Sequence, residues 1–242
     1  MHKSVKPYKN SKDKKKQQVE SMFDNISSNY DGLNRVISFG IDQSWRKKVI
    51  KMIIEANAKK VLDVATGTGD LAIALVKTNI QKVVGVDISN GMLDVGRQKI
   101  KAQNLTEKID MVQADSENLP YKDNSFDAVT VAFGVRNFEN LDKGLSEIYR
   151  VLKPGGLFVV LETSNPTKFP FKQGYFAYTK YILPVIGKLF SKDKNAYQYL
   201  SESASVFPFG QAFNNILKKN GFIDVKHYPQ TFGVSTIYKA SK

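Results

Sequence analysis

Cysteine is absent from the 242 residues, which excludes a disulfide framework and any thiolate metal site. Histidine occurs only at His2 and His227, so neither a transition-metal site nor a histidine-based triad is expected. No apolar run approaches the roughly 20 residues of a membrane-spanning helix. The lysine-rich start lacks the apolar stretch of a secretory signal. We therefore read the chain as a soluble, cytoplasmic, metal-free protein. Acidic residues are few: 36 Lys and Arg face 23 Asp and Glu, a formal charge of +13. The excess is concentrated in residues 1–16, where seven lysines accompany one aspartate for a net +6. That composition suits a solvated, disordered tail. It also suits attraction to an anionic membrane surface or to nucleic acid. Tyr8 is its only aromatic residue, so a specific nucleic-acid site is not expected.

What is present describes an α/β protein. At 42% hydrophobic, the chain can fill the core of one large domain, or of one domain with a subdomain. Over residues 17–57, Val19, Met22, Phe23 and Ile26 recur at helical spacing. Asp31-Gly32 reads as a turn, and Ser44-Trp45-Arg46 opens another helix running to about Ala56. From Lys60 the texture changes. Short apolar runs at Lys60–Ala65, Lys82–Val86, Ile109–Ala114, Phe126–Phe133 and Leu157–Leu161 alternate with helical stretches at Leu71–Thr78, Gly91–Gln103 and Leu141–Leu152. Such alternation predicts βαβ units and a mostly parallel sheet. Residues 166–205 break the rhythm with nine aromatics and with Pro166, Pro170 and Pro184, and read as a mainly helical insertion over the sheet. Residues 211–220 return to helix, and Val225–Tyr228 with Gly233–Tyr238 predict a late hairpin at the sheet edge. The plan is a tail over 1–16 and a single unit over 17–242, whose ligand-binding core spans 60–164.

In open α/β sheets, ligands bind beyond the carboxyl ends of the strands. Asp63-Val-Ala-Thr-Gly67-Thr68-Gly69-Asp70 follows the first strand and enters a helix. Its glycines let backbone approach a ligand closely, or simply make a tight turn. Asp87 lies 20 residues after Gly67, at the end of the second strand. An acid there can accept hydrogen bonds from both ribose hydroxyls of an adenosine-containing ligand. Its plainer reading is a helix cap, a job Ser89 can share. Asp115-Ser116 closes the third strand and offers an acceptor for an adenine amino group, or another cap. Three such features on three successive strand ends point jointly to an adenosine ligand. Gly67-Thr68-Gly69-Asp70-Leu71-Ala72 also satisfies the dinucleotide pattern, which keeps a nicotinamide-dependent oxidoreductase in competition. Asp63 argues against it, because it would repel a pyrophosphate and attract the ammonium group of a methionine moiety.

Val61–Asp70, Val83–Leu93 and Arg150–Gly156 (RVLKPGG) resemble class I S-adenosylmethionine-dependent methyltransferases in general. That resemblance implies a Rossmann-like α/β fold on a seven-stranded, mostly parallel sheet. Other stretches point to one family: Phe23–Ile26, Tyr30–Ser38, Trp45-Arg46, Phe133–Asn137 (FGVRN), Arg150–Ser164, Tyr175–Lys188, Tyr197–Ser203 and Phe207-Pro208. They resemble the quinone-ring C-methyltransferases of menaquinone and ubiquinone biosynthesis, from residue 17 to the end. Leu161–Ser164 and the insertion look more like the demethylmenaquinone methyltransferases than the ubiquinone-pathway enzymes. The chain departs from the first signature at Asp42, where histidine is frequent, and no catalytic role is assigned there. The lysine-rich tail is not part of the family pattern.

The resemblance implies methyl transfer from S-adenosylmethionine to a ring carbon of demethylmenaquinol. Asp63, Gly67, Thr68, Gly69, Asp87, Asp115 and Ser116 are the expected cofactor contacts. The acceptor carbon becomes nucleophilic as the neighbouring hydroxyl loses its proton. Arg136 is expected to stabilise that anion, Asn137 to orient the ring, and Tyr30, with Asn34, to line the pocket. The plainer readings are a salt bridge from Arg136 to an acid such as Glu139, and local capping and packing for Tyr30 and Asn34. The aromatic insertion suits a polyprenyl tail or an ordinary packed layer. A prenylated substrate implies peripheral contact at the inner face of the membrane, with the basic tail assisting. A nucleic-acid methyltransferase is the reading suggested by charge alone. Phe133–Asn137 is not the Asn/Asp-Pro-Pro-Tyr/Phe motif such an enzyme would show. A non-catalytic adenosylmethionine-binding module is disfavoured by the intact Gly67, Asp87 and Asp115.

Overall fold

The computed structural model describes residues 5–182 and 193–242, so the expectations placed on Pro184 and on Phe190, one of the nine aromatics of 166–205, lie outside the described residues. Seven strands form one sheet in the order β3-β2-β1-β4-β5-β7-β6. They are β1 Lys60–Val64, β2 Lys82–Asp87, β3 Ile109–Gln113, β4 Phe126–Ala132, β5 Leu152–Thr163, β6 Ile223–Gln230 and β7 Ser235–Ser241. The first five pair in parallel, and β7 runs antiparallel between β5 and β6. This is the class I methyltransferase architecture. Val61, Leu62 and Val64 of β1 and Ala128, Val129 and Val131 of β4 are all buried. Continuous burial of this kind marks central strands covered by helices on both faces.

Helices α3 (Asp42–Glu55), α4 (Asp70–Val76) and α5 (Asn90–Ala102) cover one face of the sheet. Trp45, Val49 and Ile53 recur at every fourth residue of α3, forming a single apolar stripe that enters this core. Helices α6 (Leu141–Val151) and α9 (Gln211–Lys219) cover the other face through Leu145, Ile148, Phe213 and Leu217. The side chains of Ser89 and Asn140 cap α5 and α6 by accepting the N–H of Met92 and Lys143. Two further helices, α1 (Lys15–Ile26) and α2 (Tyr30–Ser38), lie above the carboxyl ends of the strands, as does the insertion: α7 (Phe171–Ala177), a π-helical turn over Tyr178–Ile182, and α8 (Lys194–Val206). Val19, Met22 and Ile26 of α1 pack against Met92 of α5 and against Ala196 and Tyr199 of α8.

Three expectations are corrected. The tail is not free over its described part. The Tyr8 hydroxyl donates to Asp193 at 2.7 Å, and the Tyr8 N–H donates to Gln18 at 2.9 Å. Lys15 opens α1 with its ammonium donating to the carbonyls of Arg136 and Phe138 at 3.1 and 2.9 Å, and burial pushes that ammonium down to about 8. Composition gave the charge of these residues and could not reveal their distant acceptors. Asp31 and Gly32 lie inside α2 rather than in a turn, because the Asp31 carboxylate is held by Thr68 and Lys99. Lys153–Gly156, which on sequence closes the helix over Leu141–Leu152 ahead of the run from Leu157, instead belongs to β5, where the N–H of Gly155 donates to the carbonyl of Lys242 at 3.0 Å.

Candidate active site

Because β1 to β4 run parallel, the segments that follow them emerge on one edge of the sheet. They form a narrow cavity of about 70 Å³, lined among others by Gly67, Asp87, Asp115, Ser116, Phe133 and Asn137. Asp87 ends β2 and is 9% exposed. Its two oxygens accept the backbone N–H of Gly67 at 2.8 Å and of Ser89 at 2.9 Å, so it braces the glycine loop and also faces the cavity. Burial pushes its carboxyl up to about 6, against the pull of those N–H groups. Gly67 adopts φ +58, and a Cβ built there would meet nothing within 4 Å. Its backbone is therefore open to a ligand on the cavity side. Gly69, at φ +78, lines neither this cavity nor its neighbours; it turns the chain into α4.

Asp63 and Thr68 sit in an adjoining polar recess that shares Gly67 and Tyr30 with the first cavity. Asp63 is 1% exposed and accepts the hydroxyls of Thr66 and Thr130 at 2.6 and 2.7 Å. Burial raises its carboxyl above the ordinary range. The Thr68 hydroxyl donates to Asp31 at 2.6 Å. Lys99 completes the cluster, donating to Asp31 at 2.8 Å and to Asp70, which pins α2 over the glycine loop. Asp24 of α1 does the same at α5, accepting the Ser89 hydroxyl at 2.6 Å and the Gly91 N–H at 2.9 Å. Asp115 is paired with Lys16 of α1 at 2.8 Å.

A second, larger groove of about 730 Å³ lies between α2, α3, α7 and α8. Its walls include Ile37, Trp45, Tyr175, Phe176, Tyr178 and Leu200, with Arg136, Asn34, Asp42 and Arg46 as polar members. Tyr30 and Phe133 line both the groove and the strand-end cavity. Arg136 is clamped: Nη1 donates to Glu162 at 2.5 Å and to the carbonyl of Phe133 at 2.8 Å. The expected alternative partner, Glu139, instead accepts the N–H of Lys15 at 3.0 Å. Burial works to lower the Arg136 guanidinium, and attraction to Glu162 overrides it, so the net shift is upward. Arg136 Nε and Glu162 Oε2 are buried without a hydrogen-bond partner, and Nη2 makes no hydrogen bond among the described residues. Asn137 does not line the groove; it lines the strand-end cavity, and its Oδ1 accepts the Tyr199 hydroxyl at 3.1 Å. Tyr30 is pushed up by burial, with Arg136 and Asn34 opposing. Sequence reasoning assigned no role to buried Glu162 or to the Asp42–Arg46 pair, which spans 3.4 Å with the Arg46 guanidinium 5.7 Å from the Phe133 ring centre. Neither carries a local signal: Glu162 ends a strand of apolar residues, and Asp42 reads as an ordinary first-turn acid.

A model described as the ubiE/COQ5 methyltransferase family matches residues 10–242. The demethylmenaquinone methyltransferase of Bacteroides fragilis is 49% identical over 239 residues, covering 98% of this chain and 97% of that protein. The ubiquinone/menaquinone biosynthesis C-methyltransferase of Geotalea daltonii is 44% identical over 230 residues, covering 94% and 97%. Among solved structures, an S-adenosylmethionine-dependent methyltransferase of Thermotoga maritima, described as a possible histamine N-methyltransferase, aligns with a TM-score of 0.67. At 20% identity over 92% of this chain and 99% of that one, it shares the fold. The strand-end carboxylates, the glycine loop and the sheet order agree with a sequence match of this length: the chain belongs to the ubiE/COQ5 methyltransferase family.

Proposed function

We infer that this chain transfers a methyl group from S-adenosylmethionine to a ring carbon of demethylmenaquinol, giving menaquinol. The observation that carries the reading is the junction of the two cavities at Tyr30 and Phe133, in a chain 49% identical to a protein named for that reaction. A nucleoside donor and a flat acceptor with an apolar tail need two sites of different chemistry that open into each other.

Bound at the strand ends, S-adenosylmethionine supplies an electrophilic methyl group on sulfur. Asp87 would hold the ribose hydroxyls, Asp115 and Ser116 the adenine edge, and Asp63 the amino group. Gly67, Thr68 and Gly69 shape the loop beneath them. Arg136 lines the groove and stays cationic beside Glu162, so its remaining N–H groups can stabilise the ring oxyanion left when the quinol hydroxyl gives its proton to solvent. Tyr30 forms the wall common to both sites and aligns the ring with the donor. Asn137, held by Tyr199, fixes the loop that carries Arg136. The aromatic lining from Tyr175 to Tyr178 takes the first units of the prenyl tail. Such a substrate resides in a bilayer, so the protein works from the cytoplasm as a peripheral protein at an anionic membrane surface. Among the described residues, no helix is long and apolar enough to cross a membrane.

A second reading, methylation of a ubiquinone-pathway polyprenyl benzoquinol, draws on the relative named for both pathways at 44% identity. The deciding experiment supplies labelled S-adenosylmethionine with reduced demethylmenaquinol or the benzoquinol, and locates the new methyl by mass and ring position. Label on the naphthoquinol ring carbon is the expected product. Label confined to the benzoquinol would replace the first reading with the second.

A further inference from the structure

The groove opens between elements that carry the most exposed large aromatics among the described residues. Phe169 is 80% exposed, Phe39 73%, Phe232 68%, Tyr181 63% and Phe176 60%. They come from three segments of the chain, around residues 39, 169–181 and 232, which touch at two points. The ring of Phe39, just past the end of α2, lies 6.0 Å from that of Tyr178 in the groove wall. Phe171 of α7 stacks on Phe232 at 3.7 Å, and the Tyr178 hydroxyl donates to the carbonyl of Ile37 at 2.7 Å. Several exposed rings clustered around one groove mark an interaction site.

Its charge is of one sign. From Thr163 to Ile182 there is no Asp or Glu, and Lys168, Lys172 and Lys180 are exposed and make no ion pair among the described residues. The Lys180 ammonium lies 5.4 Å from the ring centres of both Phe176 and Tyr181. Apolar rings beside unpaired lysines are the chemistry of an anionic lipid surface: rings enter the acyl boundary, and ammonium groups stay at the headgroups. Three of the seven N-terminal lysines are engaged within the protein. Lys9 pairs with Glu202 at 3.4 Å, Lys16 pairs with Asp115 at 2.8 Å, and Lys15 is buried on two carbonyls.

We propose that the aromatic rim around the groove, formed by Phe39, Phe169, Tyr181 and Phe232 with Lys168 and Lys180, docks on an anionic bilayer and sets the groove mouth against the lipid. This surface, and not the lysine-rich N-terminus, carries membrane attachment. The proposal gives a location to the peripheral contact inferred above and rests on the prenylated-quinol reading for its purpose.

The test is sedimentation of the full chain with vesicles of phosphatidylglycerol and phosphatidylcholine, or of phosphatidylcholine alone, at low salt and without quinol. Three variants accompany the wild type. Phe39→Asn with Phe169→Ser and Tyr181→Ser strips the rim at positions outside the groove lining. Lys168→Gln with Lys180→Gln removes its charge. Lys6, Lys9, Lys12 and Lys14 all changed to Gln discharge the tail. The aromatic variant should lose binding to both vesicle types. The two-lysine variant should lose about tenfold or more of its binding to the anionic vesicles. The tail variant should bind within about twofold of wild type. Methylation of a short-chain, water-soluble demethylmenaquinol should persist in all three, which shows that they are folded. Full binding by the rim variants, or loss confined to the tail variant, would overturn the proposal. So would a wild type that binds no vesicles and forms a dimer dissociated by the rim variant, which would assign the face to a second copy. Failure to methylate the soluble quinol in the wild type would strike the functional reading instead.

Discussion

The two halves of the active site are built differently. The strand-end cavity, proposed to take the cofactor, is assembled from segments that each follow one of four adjacent parallel strands: Gly67 after β1, Asp87 at the end of β2, Asp115 after β3 and Phe133 after β4. The groove proposed to take the acceptor has no such frame. Its groove joins α2, α3, α7 and α8 around Arg136, and Glu162, which clamps Arg136, arrives from the end of β5. The topology alone determines where the first site must be. The second depends on which helices happen to lie over the sheet, and this is the part of the fold free to change with the acceptor. If that division is right, damage to the acceptor side should reduce rate with cofactor affinity intact, and damage to the cofactor side should do the reverse.

The largest effect is expected at Arg136. Arg136→Ala should lower the single-turnover rate at saturating cofactor by ~10²–10³, the usual consequence of deleting a preorganised donor. The buried pair complicates this variant, because removing one partner strands Glu162 at a cost of roughly 3–5 kcal/mol. A double variant, Arg136→Met with Glu162→Gln, removes both charges and should regain much of the stability but none of the rate. Raising the pH supplies more anionic quinol and should partly rescue both variants. Near-wild-type turnover by the double variant would remove Arg136 from the chemistry and leave it as a brace for the loop.

On the other side, Asp87→Ala should weaken S-adenosylmethionine binding by ~1.5–3 kcal/mol, with the rate at saturation far less affected. Wild-type binding should also depend on pH in a definite direction. Burial lifts the Asp87 carboxyl to about 6, and ribose hydroxyls donate to its charged form. Affinity should therefore be full above about pH 6 and fall by up to about tenfold per pH unit below it. For stability the sign is opposite. Between its ordinary value and about 6 the folded protein holds the proton more tightly than the unfolded chain, so this group favours folding at low pH and loses that contribution as pH rises through about 6. Calorimetry from pH 5 to 8 on wild type and variant checks both; a flat affinity profile would sink Asp87 as the ribose acceptor.

The same division explains what could be read in advance. Alternating apolar runs and helical stretches gave the parallel strands, because strand burial and helix periodicity are local patterns. The glycine loop and the acids at the ends of β2 and β3 followed from the rule about strand ends. Arg136 and Tyr30 were identified through resemblance, and their partners were not. Nothing near Glu162 says that it will pair with Arg136, 26 residues away. Asn137 was expected in the acceptor site, yet one residue beyond Arg136 on a 3₁₀ turn it points to the opposite cavity. The lysine-rich start misled for a similar reason. Its composition matches a solvated tail, while its acceptors, Asp193, Glu202 and Asp115, are supplied by distant segments.

That misreading leads to the smallest predicted effect, at Lys16. Its ammonium, on α1, reaches Asp115 at 2.8 Å across the mouth of the cofactor cavity. The pair is partly open to solvent, with side-chain exposures of 40% and 25%, so it is worth at most about 1 kcal/mol. If Asp115 accepts a hydrogen bond from the adenine amino group, Lys16 competes for the same carboxylate. Lys16→Ala should then tighten cofactor binding by about two- to fivefold. Added salt, which screens the pair, should tighten wild-type binding slightly and leave the variant unmoved. The gain must vanish in an Asp115→Ala background, since Lys16 then has nothing to release. An equal gain in that background would mean that α1 hinders entry by its bulk rather than through its charge. A loss of affinity in Lys16→Ala would mean that the lysine itself contacts the ligand, and α1 would join the cofactor site as a third wall that the strand-end rule does not foresee.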